Sequence, residues 1–274
     1  MRITGCVSTN AGAGKSACTD AAVLKIAASG RYGRIAFAVL CDGADGVRDA
    51  GKASTVVAER LAAWFHEELP SILEKTEHDM RMKMQGRARA RVLTEVLRAE
   101  DRRRSFTREM FDTAQIRIRK RLREIAGELN VRIAGYGRLH GRRAGCSATC
   151  LLLMGGEYML MHIGPSRAHL ADANELRRLV HRDFADSADT RPFGTDEIVE
   201  PVFMRGAYER DTGFLLCSEA FMRKQDPDRL QKKISKCIRF SERRQEGVLR
   251  ALTRSVRRRG EEDDAFAVFL ACAR

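Results

Sequence analysis

The stretch FAVLCDGADG, residues 37–46, decides how the rest of this chain is interpreted. An apolar run over residues 35–41 ends abruptly at Asp42-Gly43. Short apolar runs rich in Val, Ile and Phe are typical of buried strands. A carboxylate at the end of such a strand lies where the sheet stops, and a glycine after it permits a tight turn and exposes a carbonyl oxygen. The pair therefore fits either an ordinary Asp-Gly turn or one side of a site for a hard cation.

Bulk composition narrows the class of protein. The chain has 274 residues, 44% of them hydrophobic, and a formal net charge of +13. Such a charge favours an acidic protein, a nucleic acid or an anionic membrane as partner. No segment approaches the roughly 20 apolar residues of a membrane span, and residues 1–10 lack the apolar region of a signal peptide. The eight cysteines show no CxxC spacing, which is typical of buried thiols in a reducing compartment. We therefore expect a cytoplasmic protein.

Apolar runs separated by turn residues predict antiparallel strands with helices before, between and after them. The predicted strands are residues 3–8, 20–26, 34–41, 149–154, 158–163, 167–171, 213–217 and 265–272. The second and third of these are expected to pair as a hairpin around Ser29-Gly30. Helical spacing predicts a helix from residue 53 to near Pro70, a short one at 92–97, a long one over 106–129, and helical structure within 227–259.

A glycine-rich loop offers one alternative reading of function. Residues 10–16, NAGAGKS, are close to a phosphate-binding P-loop, but that motif needs a glycine where Thr9 stands. The next predicted strand also follows too soon for the helix that a P-loop opens into. Nucleotide binding through Lys15 therefore stays a third hypothesis, behind the two developed below.

The predicted long helix has a strongly basic outer face between residues 102 and 123. Such a face is either simply solvated or a docking surface for an acidic protein partner. A nucleic-acid ligand is disfavoured, because aromatic residues do not interleave with the charges and no recognition motif is present.

Three carboxylates stand at the same kind of position in the sequence. Asp42, Glu219 and Asp264 each stand at one end of an apolar strand. Carboxylates gathered at one edge of a sheet are costly unless a cation neutralises them, and oxygen ligands select Mg²⁺ or Mn²⁺ over zinc. If the three strands bring these side chains together, the sequence predicts a divalent-metal site.

Six stretches, in this order, resemble the motifs of one family. They are GAGKSACTDA at residues 12–21, FAVLCDG at 37–43, GCSAT at 145–149, HIGPSR at 162–167, LLCSEA at 215–220 and DAFAV at 264–268. They are similar to G-x-x-R-x-x-N-(E/Q)-D-(A/S), F-x-V-x-D-G, G-(S/T)-T, V-G-D-S-R, L-C-S-D-G and D-N-(I/V/A)-(T/S)-V of the metal-dependent protein phosphatases of type 2C, the PPM family, in its bacterial form. HRD at residues 181–183 resembles a further short motif of that family.

The resemblance implies a fold and a site. The fold would be α+β, a four-layer α-β-β-α sandwich of two antiparallel sheets flanked by helices, with residues 1–274 as a single domain. The family uses two cations, bridged by an Asp and a water, to activate water for attack on a phosphate. By this resemblance, Asp42 would be the bridging ligand and a catalytic residue, and the Gly43 carbonyl a further ligand. Glu219 and Asp264 would be two more metal ligands. Lys15 would be a catalytic cation that binds the phosphate, and Asp20 a supporting carboxylate.

The departures from the family pattern cluster at this site. Pro165 replaces an Asp, Glu219 replaces an Asp, and Thr19 replaces an acidic or amide residue. Lys15 replaces an Arg and supplies charge without a bidentate fork. The resemblance thus implies a serine/threonine phosphatase of weakened activity that uses two, one or no Mg²⁺ or Mn²⁺ ions. The alternative is an inactive pseudophosphatase that serves as a binding or regulatory module. The expected partner is a phosphoprotein substrate or an acidic protein, and we expect a monomer.

Overall fold

The computed structural model describes residues 2–13, 15, 18–30, 32–44, 49–90, 99–180 and 191–273. The strands within them are β1 Arg2–Asn10, β2 Ala21–Ser29, β3 Gly33–Gly43, β4 Cys146–Met154, β5 Glu157–Ile163, β6 Arg167–Ala171, β7 Leu176–Arg178, β8 Val202–Ala207, β9 Thr212–Cys217 and β10 Ala265–Ala273. The helices are α1 Ala50–Glu67, α2 Leu69–Ala90, α3 Ala99–Leu139, α4 Glu219–Arg223, α5 Pro227–Cys237 and α6 Glu242–Arg258.

In the described part of the chain the strands form two five-stranded sheets. The first has the order β1-β10-β9-β6-β7 and the second the order β2-β3-β4-β5-β8. Every pair of neighbouring strands is antiparallel. The predicted α+β class, with two antiparallel sheets and helices, is confirmed.

One hydrophobic core joins the two sheets. Alternate residues of β1, β9 and β10 in the first sheet pack in the same buried cluster as alternate residues of β3, β4 and β5 in the second. The fully buried members include Ala38, Leu40, Leu151, Leu160 and Val268. Burying one such aliphatic side chain contributes about 1.5–3 kcal/mol, so this layer is a main source of the free energy of folding.

The other face of the first sheet is covered by α4, α5 and α6. Helix α6 turns Leu249, Leu252 and Val256 towards the sheet at the spacing of one helical face. Two buried polar contacts join α6 to β1: the Thr4 hydroxyl donates to Gln245 Oε1 at 3.1 Å, and the hydroxyls of Ser8 and Thr253 lie 2.9 Å apart. These contacts fix the position of the helix along the strand.

The chain divides into two compact units, Met1–Ala62 with Ala126–Arg274, and Ala63–Ile125. In the second unit, Arg117 binds Asp79 at 2.5 Å and Arg121 binds Glu68 at 2.5 Å. These two arginines belong to the basic face predicted as a docking surface, so part of its charge is already neutralised. The expectation of a single domain stays a prediction.

Most predicted elements are confirmed. The eight predicted strands correspond to β1–β6, β9 and β10, and β2 pairs with β3 as expected. The long predicted helix is α3, which extends further in both directions, and the segment 227–259 forms α5 and α6. Strands β7 and β8 and helices α2 and α4 were not predicted. The predicted short helix at 92–97 lies outside the described residues.

Candidate functional site

The ends of several strands of the first unit open onto one cavity of about 260 Å³. Its lining includes every site residue that the sequence predicted. The lining residues are Lys15, Thr19, Asp20, Asp42, Gly43, Ala44, Ser147, Pro165, Pro192, Glu219, Ala220, Arg223, Asp263 and Asp264.

Asp42 and Gly43 are the last residues of β3. The Gly43 amide donates to Asp20 Oδ1 at 3.1 Å, which ties the end of β3 to the start of β2. A Cβ atom at Gly43 would lie 3.0 Å from both Ala50 Cβ and Thr19 Oγ1, so a larger residue would push these elements apart. The Asp-Gly pair, for which the sequence allowed a tight turn, thus still belongs to the strand, and its glycine is a point of close packing.

Asp20 is the most strongly perturbed carboxyl group of the cavity. Burial, and next the charge of Asp42, raise the pKa of Asp20 to about 9. Its Oδ2 atom is buried and has no hydrogen-bond partner among the described residues. Two carboxylates this close cannot both stay charged without a proton or a cation between them.

Asp264 immediately precedes β10 and is 4% exposed. Its Oδ1 accepts from the Gly12 amide at 2.9 Å, and its Oδ2 accepts from the Thr19 amide at 2.7 Å and the Thr19 hydroxyl at 2.9 Å. Although burial opposes ionisation, these donors and Lys15 lower the pKa of Asp264 below its usual value. A Cβ atom at Gly12 would lie 1.8 Å from the carbonyl oxygen of Glu262, so only glycine permits this approach.

Glu219 is placed by the connection between β9 and α4. The fully buried Ser218 caps α4, and its hydroxyl also donates to the Asp264 carbonyl oxygen at 3.0 Å. Glu219 therefore leaves the end of β9 beside the start of β10. Its Oε1 accepts from Arg167 Nη2 at 2.9 Å, so this carboxylate is already paired with a cation of the chain.

Two further cations lie among the acids of the cavity. Lys15 Nζ lies 3.7 Å from Asp263 Oδ1 and 3.8 Å from Asp264 Oδ1. Arg223 Nη1 donates to Glu261 at 2.8 Å and to Asp263 at 2.9 Å. The cavity is thus an acidic pocket that is partly neutralised from within the protein.

The carboxylates that line the cavity offer oxygen ligands to a divalent ion. Asp42, Asp20, Asp264 and the Gly43 carbonyl supply oxygen atoms, and the unpartnered Asp20 Oδ2 is the kind of buried atom that an ion would satisfy. Glu219, by contrast, already has one carboxylate oxygen, Oε1, bound to Arg167. One carboxylate oxygen of Asp20, one of Asp264 and the Sγ atom of Cys18 also lie within 4.8 Å of one another. A thiolate would favour a softer ion than Mg²⁺.

The structure thus brings Asp42, Gly43, Glu219, Asp264 and Lys15 together, with Asp20 beside them. Their roles as ligands and catalytic groups stay predictions. Sequence reasoning missed the contribution of Thr19 to holding Asp264, the proximity of Cys18, and the cations Arg167 and Arg223 at the acids. The one available signal was that Cys18 and Thr19 stand inside the first family-like motif.

The P-loop reading is wrong, because the chain enters strand β2 at Ala21 and forms no helix after the glycine-rich loop. Of that motif, Gly14 and Ser16 lie outside the described residues, as does the HRD stretch at 181–183. Among the described helices, none has both the length and the apolar character that crossing a bilayer would require.

Comparison with known proteins gives likeness at the level of structure. No family model and no curated protein matches the sequence. The chain is similar to the serine/threonine phosphatase PstP/Ppp of Mycobacterium tuberculosis, with 16% identity, 99% of each chain covered and a TM-score of 0.61. It is similar to the serine/threonine phosphatase Stp1 of Staphylococcus aureus, with 15% identity, 99% of this chain and 95% of that chain covered and a TM-score of 0.63.

A third similar structure is PppA of Pseudomonas aeruginosa, described as a key regulatory component of T6SS. It shows 16% identity over 99% of this chain and 98% of its own, with a TM-score of 0.62. At such identities the likeness establishes the fold alone. Sheet order, strand pairing and these three neighbours together show that this chain has the fold of the bacterial PPM-type serine/threonine phosphatases.

Proposed function

We propose that the chain is a metal-dependent protein serine/threonine phosphatase of weakened activity. The observation that carries this proposal is the convergence of Asp20, Asp42 and Asp264 on one cavity, with the buried Asp20 Oδ2 lacking a partner among the described residues. The expected substrate is a phosphoserine or phosphothreonine side chain of a phosphoprotein. We further propose that residues 1–274 act as one domain and as a monomer.

In this proposal, Asp42, the Gly43 carbonyl and Asp264 hold a Mg²⁺ or Mn²⁺ ion. Such an ion supplies Lewis-acid charge that activates water and neutralises phosphate oxygens. Thr19 and Gly12 hold Asp264 in one orientation, through three hydrogen bonds of 2.7–2.9 Å. Lys15, whose side chain is 35% exposed, is the group that would bind the substrate phosphate.

Weakened activity follows from the same contacts. Lys15 must release Asp263 and Asp264 to bind a phosphate, and it offers a point charge rather than a bidentate fork. The positive charge of Arg167, which holds Glu219 Oε1, opposes the binding of an ion at Glu219. Losing one positioned electrostatic group typically costs a factor of about 10²–10³ in rate, so we expect slow turnover.

The test is hydrolysis of p-nitrophenyl phosphate and of a phosphothreonine peptide in millimolar Mn²⁺. We expect turnover that requires the ion and is lost in Asp42→Ala. The matched control is Asp228→Ala, which removes an exposed acid from α5 and should leave the rate unchanged. Turnover that persists without a divalent ion or in Asp42→Ala would refute the proposal.

The second candidate is a pseudophosphatase that acts by binding. It is favoured by the ion pairs of Arg167 with Glu219 and of Lys15 with Asp264, which neutralise the pocket without an ion. This candidate predicts no turnover of either substrate and no heat of binding when Mn²⁺ is titrated into the purified protein by calorimetry. Mn²⁺ binding together with ion-dependent turnover would exclude it.

A further inference from the structure

The C-terminal helical pair carries most of the net positive charge of the protein. Residues 227–259 contain twelve Lys and Arg residues but only three acids, in a chain whose formal net charge is +13. This segment lies outside the cavity described above. Its charge therefore has no part in the proposed chemistry.

The charge is concentrated on one side of α6. The helix buries Gln245, Leu249, Leu252, Thr253 and Val256. Five of its six arginines lie on the opposite side, most of them three, four or seven residues apart, and all five are exposed: Arg243, Arg250, Arg254, Arg257 and Arg258. At 1.5 Å per residue this stripe is about 22 Å long. We call these five residues the α6 arginine face.

Little of this charge is neutralised. Arg250 pairs with Glu246 on the same helix. For Arg243, Arg254, Arg257 and Arg258 no acidic partner is found within the described part of the chain. The basic face of α3 differs in this respect, because Arg117 and Arg121 are already bound to Asp79 and Glu68. The α6 arginine face is therefore the better placed of the two to bind an acidic ligand.

A cavity lies at the end of α5, and Phe240 of its lining stands three residues before Arg243, the first residue of this face. It has a volume of about 430 Å³, and its lining combines Lys232 and Lys236 with the apolar Ile238 and Phe240. Both lysines are exposed. A ligand with carboxylates beside an apolar side chain would match this lining.

The chemistry of the face favours an acidic protein segment over other polyanions. The large exposed apolar side chains of the described chain all lie outside residues 227–259, so nothing here inserts into a membrane. Phe240 is the one aromatic residue of the segment, and the Arg244 guanidinium covers its ring at 3.8 Å. Stacking with unpaired bases, which nucleic-acid sites use, is therefore not offered.

We propose that the α6 arginine face and the cavity beside it form a docking surface for an acidic segment of a partner protein that carries an apolar anchor. Guanidinium groups bind carboxylates in a bidentate manner, which suits such a segment. An extended segment of about seven residues would span the stripe. This surface acts independently of the metal site.

The test uses fluorescence anisotropy with a labelled twelve-residue peptide of Asp and Glu that contains one leucine. We expect the peptide to bind the full chain, and Arg243→Gln combined with Arg254→Gln and Arg257→Gln to raise its Kd roughly tenfold. The matched control is the combination Arg132→Gln, Arg138→Gln and Arg143→Gln, exposed arginines elsewhere, which should change Kd less than twofold. Asp42→Ala should leave peptide binding unchanged, so the docking surface is tested separately from the phosphatase activity.

Three outcomes would overturn the proposal: no binding of the peptide, equal weakening in the two triple variants, or loss of binding in Asp42→Ala. A single-stranded oligonucleotide of equal charge and anionic vesicles serve as competitors. If either binds the α6 arginine face more tightly than the peptide at the same salt concentration, the surface belongs to a nucleic acid or a membrane instead.

Discussion

Arg167 Nη2 lies 2.9 Å from Glu219 Oε1, so a carboxylate that the sequence assigned to a metal is bound by a guanidinium group. The two residues come from the start of β6 and the start of α4, next to the paired ends of β6 and β9. Arg167 and Lys15 thus place positive charge among the acids of the pocket. An incoming ion must compete with these side chains.

Removing Arg167 should therefore strengthen ion binding. In Arg167→Ala, Glu219 is released, and we expect the Kd for Mn²⁺ to fall about fivefold, in line with about 1 kcal/mol for a partly exposed ion pair. Isothermal titration calorimetry measures this directly. The control is Arg177→Ala on β7. It breaks an exposed ion pair with Glu175 and should not change the Kd for Mn²⁺. Unchanged or weaker Mn²⁺ binding in Arg167→Ala would show that Glu219 does not contribute to the ion site.

The raised pKa of Asp20 predicts that stability falls with rising pH. The pKa of about 9 means that folded Asp20 keeps its proton up to about pH 9, whereas an unfolded Asp, with its ordinary pKa of 3.8, has already released it. Between these values the folded state binds more protons, so the free energy of unfolding decreases by at most about 1.4 kcal/mol per pH unit. We expect Asp20→Asn to reduce this loss between pH 7 and 8.5, measured as melting temperature in metal-free buffer. Parallel pH profiles in the two proteins would contradict the assignment.

A buried histidine predicts the opposite slope at lower pH. His162 is fully buried with Nδ1 2.9 Å from Thr149 Oγ1, and burial, then Arg178, lower its pKa to about 4. Between pH 6.5 and about 4 the unfolded state binds the extra proton, so stability is lost as the pH falls. Urea unfolding at pH 7 and pH 5 should show a smaller loss in His162→Asn than in the parent protein. His140→Asn, which changes an exposed histidine, should retain the loss of the parent.

The polar contacts between β1 and α6 predict a large cost for one substitution. Gln245 is 1% exposed, accepts from the Thr4 hydroxyl, and donates through Nε2 to the Cys237 carbonyl at 3.1 Å. Gln245→Ala leaves the Thr4 hydroxyl and the Cys237 carbonyl without this hydrogen-bond partner and opens a cavity. We therefore expect a loss of about 2–4 kcal/mol in the free energy of unfolding. Gln231→Ala breaks a single exposed bond to the Asn174 carbonyl and should cost below about 1 kcal/mol. Chemical denaturation of both variants gives the comparison.

The elements that sequence reasoning identified are those whose residues are buried almost throughout. Strands β3, β4 and β10 are continuous apolar runs, because both faces of each are buried. Strand β8 alternates between half-buried and exposed residues, and β7 has only three residues, so neither gives a clear signal. Helix α2 carries Pro70 in its first turn, where a proline is tolerated, whereas the sequence analysis took this proline as the end of a helix.

The residues of the candidate site were likewise predictable only in part. Asp42, Glu219 and Asp264 were identified because each ends or precedes an apolar strand, and a strand end is visible in a sequence. The pairing of Arg167 with Glu219 and the approach of Gly12 to Asp264 depend on which strand lies beside which, and on separations of 52 and 252 residues along the chain. Neither local propensity nor spacing encodes such neighbours.

The pairing of β1 with β10, in register from Arg2↔Ala273 to Asn10↔Ala265, sets the order in which this pocket can be assembled. Asp264 reaches the cavity through the pairing of β10 with β1, so the loop that carries Gly12 and Thr19 has no carboxylate to bind until residue 264 has been synthesised, 252 residues after Gly12. Contacts this distant in sequence are slow to form. A chain emerging from the ribosome therefore lacks this part of the proposed ion site until β10 has been made, and the pairing of β10 with β1 then supplies it.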